Sequence, residues 1–234
     1  MLTVVIVTVP SYAVAWLIGV PLLVPILNAA APWWMMVQRL RAGRLRDAMA
    51  LMLVWAMTMA VTATVMAACG WTTRDDGSSL FLRSFYRDEM LQWVRTGVGP
   101  ESTPAVFVPA HLRHAAVFCA AAIGTGGLLA MPLGAALINQ MSEYVGALAA
   151  SGSHPIATAV LAWHPWAVIR VIAFVILGVV LSGPVLARLL RFPYSLAAGG
   201  GWIAVAAGLL ALDLLLKWLL APSWAMLLRG LVGW

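Results

Sequence analysis

Residues 115–150 read AAVFCAAAIGTGGLLAMPLGAALINQMSEYVGALAA, and where this run is divided decides the architecture. It holds a single charge, Glu143. As one straight helix it would measure about 54 Å at 1.5 Å per residue, far more than the roughly 30 Å of bilayer hydrocarbon. The run must break, and two places offer a break: the Gly126 and Gly127 pair with Pro132 behind it, or the polar patch Asn139, Gln140, Ser142 and Glu143. A break at the glycines gives two short passes or a re-entrant hairpin. A break at the patch gives one full pass over 115–138 with a polar, interfacial extension. The second division is the expectation, because legs of about 17 residues are at the short end of what crosses a bilayer.

Outward from this run the chain keeps the same character. Of its 234 residues 63% are hydrophobic and 9% charged, too few charges to solvate a soluble globule or to keep a chain disordered. Apolar stretches at 2–30, 48–69, 115–138, 166–187 and 197–220 predict spanning helices, the first bent at Pro10, Pro21 and Pro25. Residues 156–163 are apolar but too few to cross. Trp33, Trp34, Trp71, Trp163, Trp202, Trp218 and Trp224 fall near the ends of these stretches, where an aromatic belt belongs. No Lys or Arg precedes Arg39, so the first stretch reads as a retained membrane segment, not a cleaved signal peptide. The expectation is one integral membrane domain over 1–234: an all-α polytopic transmembrane helical bundle of about five spans, or six if the long run folds back.

The formal charge of +6 does not form a water-facing stripe, so it points to topology and lipid headgroups and to no nucleic acid. Arg39, Arg41, Arg44 and Arg46 are the densest basic cluster in a short loop. They place residues 31–47 in the cytoplasm, the loop 70–113 outside, and the chain in the cell inner membrane. With five spans Arg188 and Arg191 fall outside, against the rule; with six they fall inside. In the outer loop Arg74, Arg83, Arg87, Arg95 and Arg113 balance Asp75, Asp76, Asp88, Glu89 and Glu101. There, residues 79–96 place Leu82, Phe85, Tyr86, Met90, Trp93 and Val94 at helical spacing opposite Arg87, Asp88 and Arg95. This predicts an amphipathic surface helix, capped by Ser79, that docks on the membrane or on a partner. The proline-rich VGPESTPAVFVP behind it predicts extended chain.

Ionisable groups inside a bilayer are costly, which makes them the first candidates for chemistry. Glu143, with Asn139, Gln140 and Tyr144, is a candidate proton or cation site; with Arg170 on the next span as its expected partner, the favoured reading is a helix-to-helix tie that fixes packing. Asp213 and Lys217, four apart on the last span, are expected to neutralise each other. His111 and His114 fall on the opposite side of the membrane from His154 and His164 in a five-span chain, which disfavours a bis-histidine haem. Cys69 and Cys119 read as buried thiols, and the methionines between Met35 and Met66 as packing. Gly126, Ala130 and Gly134 form a small-residue ridge for close helix approach. No metalloprotease, nucleophile-elbow, phosphate-loop or dinucleotide motif occurs, so no familiar enzyme is indicated and no cofactor is named. These features favour a non-catalytic structural or assembly subunit of a larger membrane complex, in contact with lipid and other membrane subunits. The competing readings are a small-solute or ion transporter using Glu143 and Arg170, and a haem- or metal-bearing redox subunit.

Overall fold

The computed structural model describes residues 1–72, 79–81 and 84–234, apart from the side chains of Ser84 and Ala198. The described residues form helices and no strand: α1 (Leu2–Ile18), α2 (Leu23–Arg41), α3 (Leu45–Ala68), α4 (Ser84–Thr96), α5 (Pro104–Thr125), α6 (Ala130–Ser151), α7 (Pro155–Ala162), α8 (Pro165–Leu190) and α9 (Leu196–Val232). Four of them, α3, α5, α8 and the Gly199–Val232 part of α9, are long and apolar enough to cross a membrane. The chain is a helical membrane protein. α2 and α6 are less apolar and bury much of their surface in the bundle, where neighbouring helices replace lipid as the solvent.

The long run breaks at the glycines, not at the polar patch, which corrects the expected pass over 115–138. Gly126 closes α5 in a left-handed conformation (φ 60°) and Gly127 follows at φ 84°, backbone states that a side chain disfavours. A Cβ on Gly127 would also lie 2.5 Å from Ser182 Oγ. The patch needs no break, because Asn139 and Ser142 are hydrogen-bonded inside the bundle and α6 runs straight through them. The start of this pass shifts too. Residues 104–109 are helical, not extended, with Pro104 in the first turn, where its missing N–H is harmless. The first apolar stretch likewise divides, at left-handed Gly19, into the antiparallel pair α1 and α2.

Side-chain contacts set the directions. Trp55 Nε1 of α3 donates to the Asn28 carbonyl of α2, and Met36 of α2 lies against the Gly127 turn, so α2 runs opposite to α3 and α6. Gly146 of α6 sits against the Thr64 carbonyl and Ala67 of α3, and Ser142 Oγ donates to the Ala60 carbonyl at 3.4 Å, so these two central helices run parallel. The close-approach glycine of α6 is therefore Gly146; a Cβ on Gly134 would meet only Phe118, at 3.5 Å. Phe118 of α5 stacks on Phe174 of α8 (centroids 4.8 Å apart), and α9 returns antiparallel to α8. One core lies among α1, α2, α3, α5, α6 and α8. A second, with Trp93, Tyr144, Trp166 and Leu228, joins α4 to α6, α8 and α9 at one end.

The amphipathic helix starts at Ser84, not Ser79, whose hydroxyl instead accepts from the Phe81 N–H at 2.9 Å. Met90 and Trp93 are buried in the second core, Tyr86 is half-buried with its hydroxyl 3.5 Å from Met141 Sδ, and Phe85 is exposed. Most of the apolar face expected to meet a partner thus covers the chain's own α6 and α9. Leu82, the other expected member of that face, lies outside the described residues. α7 is too short to cross and packs on α6 and α9.

Candidate functional site: a buried polar network

Two polar assemblies hold the interior together. The first is uncharged and joins α1, α2, α3 and α6. Tyr12 donates its hydroxyl to Asn139 Oδ1 (2.6 Å), Asn139 Nδ2 donates to Asn28 Oδ1 (3.1 Å), and Asn28 Nδ2 donates to Ser11 Oγ (2.8 Å). Ser11 in turn donates to the Thr8 carbonyl at 2.6 Å. Each amide uses one acceptor and one donor, so a chain of polar groups crosses an apolar core with its members satisfied.

The second assembly is ionic. Arg170 of α8 grips Asp213 of α9 at two points, Nε to Oδ2 at 2.9 Å and Nη2 to Oδ1 at 3.0 Å, the planar fork that carboxylate geometry favours. Asp213 is fully buried. Lys217, one turn further along α9, is also buried and donates to Glu101 Oε1 at 2.6 Å, with its ammonium 4.7 Å from the Phe107 ring. Trp166 Nε1 donates to the other Glu101 oxygen at 3.3 Å. The expected Asp213–Lys217 and Glu143–Arg170 pairs are thus both replaced. Asp213 turns to Arg170 because α8 and α9 form a hairpin with their charges at matched distance from its short loop. Lys217 turns to Glu101 because the segment before α5 brings that carboxylate to it.

Glu101 is the member that lies outside the spanning helices, and its environment is lopsided. Burial pushes its carboxyl up, but the Lys217 ammonium, the Arg170 guanidinium and His164 outweigh that and hold it at about 2. His164, at the start of α8, stacks on Trp166 (4.6 Å) with its Nε2 3.4 Å from the Tyr144 hydroxyl. Burial lowers this imidazole to about 3. Burial also raises the Tyr86 phenol, with Glu101 adding to the effect.

His111 of α5 borders the ion pair. Its Nδ1 lies 2.8 Å from the Phe107 carbonyl, which can only accept, so Nδ1 carries the proton. Nε2 then faces Asp213 Oδ2 at 3.5 Å without a hydrogen bond. A cleft of about 40 Å³ lined by His111, His114, Arg170, Phe174, Leu210 and Asp213 opens beside this contact, with room for a water. His111 and His164 both lie in the field of Glu101, at one end of the bundle. The expected separation across the membrane is therefore corrected, since it followed from the misplaced break. Among the described residues no three His, Cys, Asp or Glu side chains form a metal-holding set. Both cysteines are free thiols, and Cys69 is exposed, not buried.

Glu143 stands apart from the ionic assembly. It is buried on α6, faces Ser79, and has Arg87 Nη1 at 3.6 Å from its Oε1, yet among the described residues neither oxygen makes a well-aligned hydrogen bond. Arg87 is shared with Asp88, at 3.0 Å. Of the expected polar set, the structure brings Asn139 into the uncharged chain, Arg170, Asp213 and Lys217 into the ionic one, and Tyr144 against His164; Gln140 joins neither. Glu101, His111, His164, Trp166, Tyr12 and Asn28 are members that sequence reasoning missed. Compared with known protein families, with characterised proteins and with solved structures, the chain matches no family model, no protein and no structure.

Proposed function

We propose that this membrane protein is a non-catalytic structural or assembly subunit of a larger complex in the cell inner membrane, with residues 31–47 on the cytoplasmic side. The observation that carries this reading is the pairing of the charges that α8 and α9 bury. Arg170 is spent on Asp213 and Lys217 on Glu101, and each pair ties together segments far apart in the sequence. Charges satisfied within the chain act as ties between helices, whereas a transport path needs groups that can exchange their partner for a solute. The outward surface supports the same reading. Only 17% of the spanning windows of α5 and of α9 is buried within the chain, which leaves long apolar faces for lipid or neighbouring subunits.

The test is purification from native membranes in mild detergent. A stoichiometric second polypeptide and a particle mass well above 25.0 kDa are expected; a stable particle of a single 25.0 kDa chain overturns the reading. One observation favours a second reading, transport of a cation or proton. Glu143 is buried, and among the described residues its oxygens lack a well-aligned hydrogen bond and face the Arg87 guanidinium at 3.6 Å. Loss of flux in Glu143→Gln, with assembly intact, would establish that alternative.

A further inference from the structure

The fold sorts the chain's charge by end. The Gly126–Gly127 turn touches Met36 on α2 and Ser182 and Leu186 on α8, so the C-terminal ends of α2 and α8 come together at one end of the bundle. Arg39, Arg41, Arg44 and Arg46 arrive there from one stretch, Arg188 and Arg191 from another. The one acid in these two stretches is Asp47, which Arg44 engages through Nε at 2.6 Å. Six arginines against one aspartate leave five of the six net positive charges of the chain here. Among the described residues Arg39, Arg41, Arg46, Arg188 and Arg191 make no ion pair.

Arg191 adds a separate observation. It closes α8 in a left-handed conformation, φ 55° and ψ 53°, and every other positive-φ residue among those described is a glycine. The chain carries a guanidinium where its backbone favours glycine. The surroundings of this end are those of a bilayer boundary. Trp34 and Leu189 are exposed beside the arginines, and Trp33 Nε1 donates to the Gly126 carbonyl at 2.9 Å.

We propose that this arginine end binds the phosphate headgroups of anionic phospholipids in the membrane the protein spans. Guanidinium groups pair with phosphate oxygens in a planar fork, and a cluster at the apolar boundary meets headgroups without leaving the helix ends. The lipid is the source of the phosphate because apolar side chains flank the arginines and suit acyl chains.

The full chain, reconstituted in phosphatidylcholine with a minor fraction of phosphatidylglycerol, is released into native mass spectrometry and its retained lipids are counted. Wild type is expected to retain phosphatidylglycerol several-fold over its share of the bilayer. The combined Arg41→Gln, Arg188→Gln and Arg191→Gln variant should fall to that share with its helical circular dichroism unchanged. Arg113→Gln, which removes an exposed arginine of α5 away from this end, should retain lipid like wild type. Equal retention by the triple variant, or equal loss by Arg113→Gln, overturns the proposal. Displacement of the lipid by inorganic phosphate does so as well, since it would identify a soluble anion as the ligand.

Discussion

Asp213 shows most plainly how a residue of this chain meets the cost of its setting. It is fully buried, and its carboxylate is held by the two-point contact with Arg170. Removing one member of such a buried pair leaves the other uncompensated, at about 3–5 kcal/mol. Asp213→Leu should therefore lower the midpoint of thermal unfolding in detergent by many degrees, as should Arg170→Met. In the uncharged chain each hydrogen bond contributes less, about 0.6–1.7 kcal/mol for an interhelical bond in a membrane. Asn139→Leu, which breaks two, should cost about 1–3 kcal/mol by chemical unfolding in mixed micelles. Glu101 and His164 set a pH dependence of one sign. Glu101 is held at about 2 from an ordinary 4.5, and His164 at about 3 from an ordinary 6.5, so the unfolded chain binds more protons than the folded one as the solution is acidified. Their contribution is complete above about pH 6.5 and is lost as pH falls, first through His164 and below about 4.5 through Glu101 as well. Glu101→Gln should flatten the acid limb of a stability-against-pH curve between 4.5 and 2.

At the scale of elements, the turn between α5 and α6 and the contact between α3 and α6 are two places where side-chain size decides the fold. Gly127→Ala should destabilise by about 1–2 kcal/mol from backbone strain alone, before its contact with Ser182 is counted. Gly146→Leu should be worse, because a Cβ there already meets backbone, with the Thr64 carbonyl at 2.6 Å. Loss of folded material in fluorescence-detected size exclusion would register both. Helix-forming stretches were legible because composition alone separates apolar runs from polar loops, and the chain does form the helical bundle that this implies. The break at Gly126 was present in the sequence too, since a glycine pair accepts the left-handed backbone that ends a helix, a local preference that the length of an apolar run does not register. α6 runs 22 residues through Asn139 and Glu143 because bundle neighbours, not lipid, surround them. Hydropathy cannot separate those two surroundings. The Arg170–Asp213 pair was within reach of simple counting: Arg170 is about 30 Å along α8 from the hairpin loop, and Asp213 about 26 Å along α9. Glu101 was not, since nothing in a polar loop announces that it will sit against a buried lysine.

At the scale of the whole molecule, the charges buried on α8 and α9 are drawn into pairs, while the outward faces of α5 and α9 are largely apolar, with Arg113 and His114 the exposed exceptions on α5. That division suits a body embedded among lipids and other helices, and it rests on the interior charges being partners of one another. A double-mutant cycle on Arg170 and Asp213, read as thermal unfolding of the full chain in detergent, tests this most directly. Replacing both, as Arg170→Met with Asp213→Leu, is expected to recover most of the stability that either single change loses, because no unpaired charge remains. Losses that simply add in the double variant would show that the two side chains do not serve each other, and would contradict the reading of this network as a structural tie.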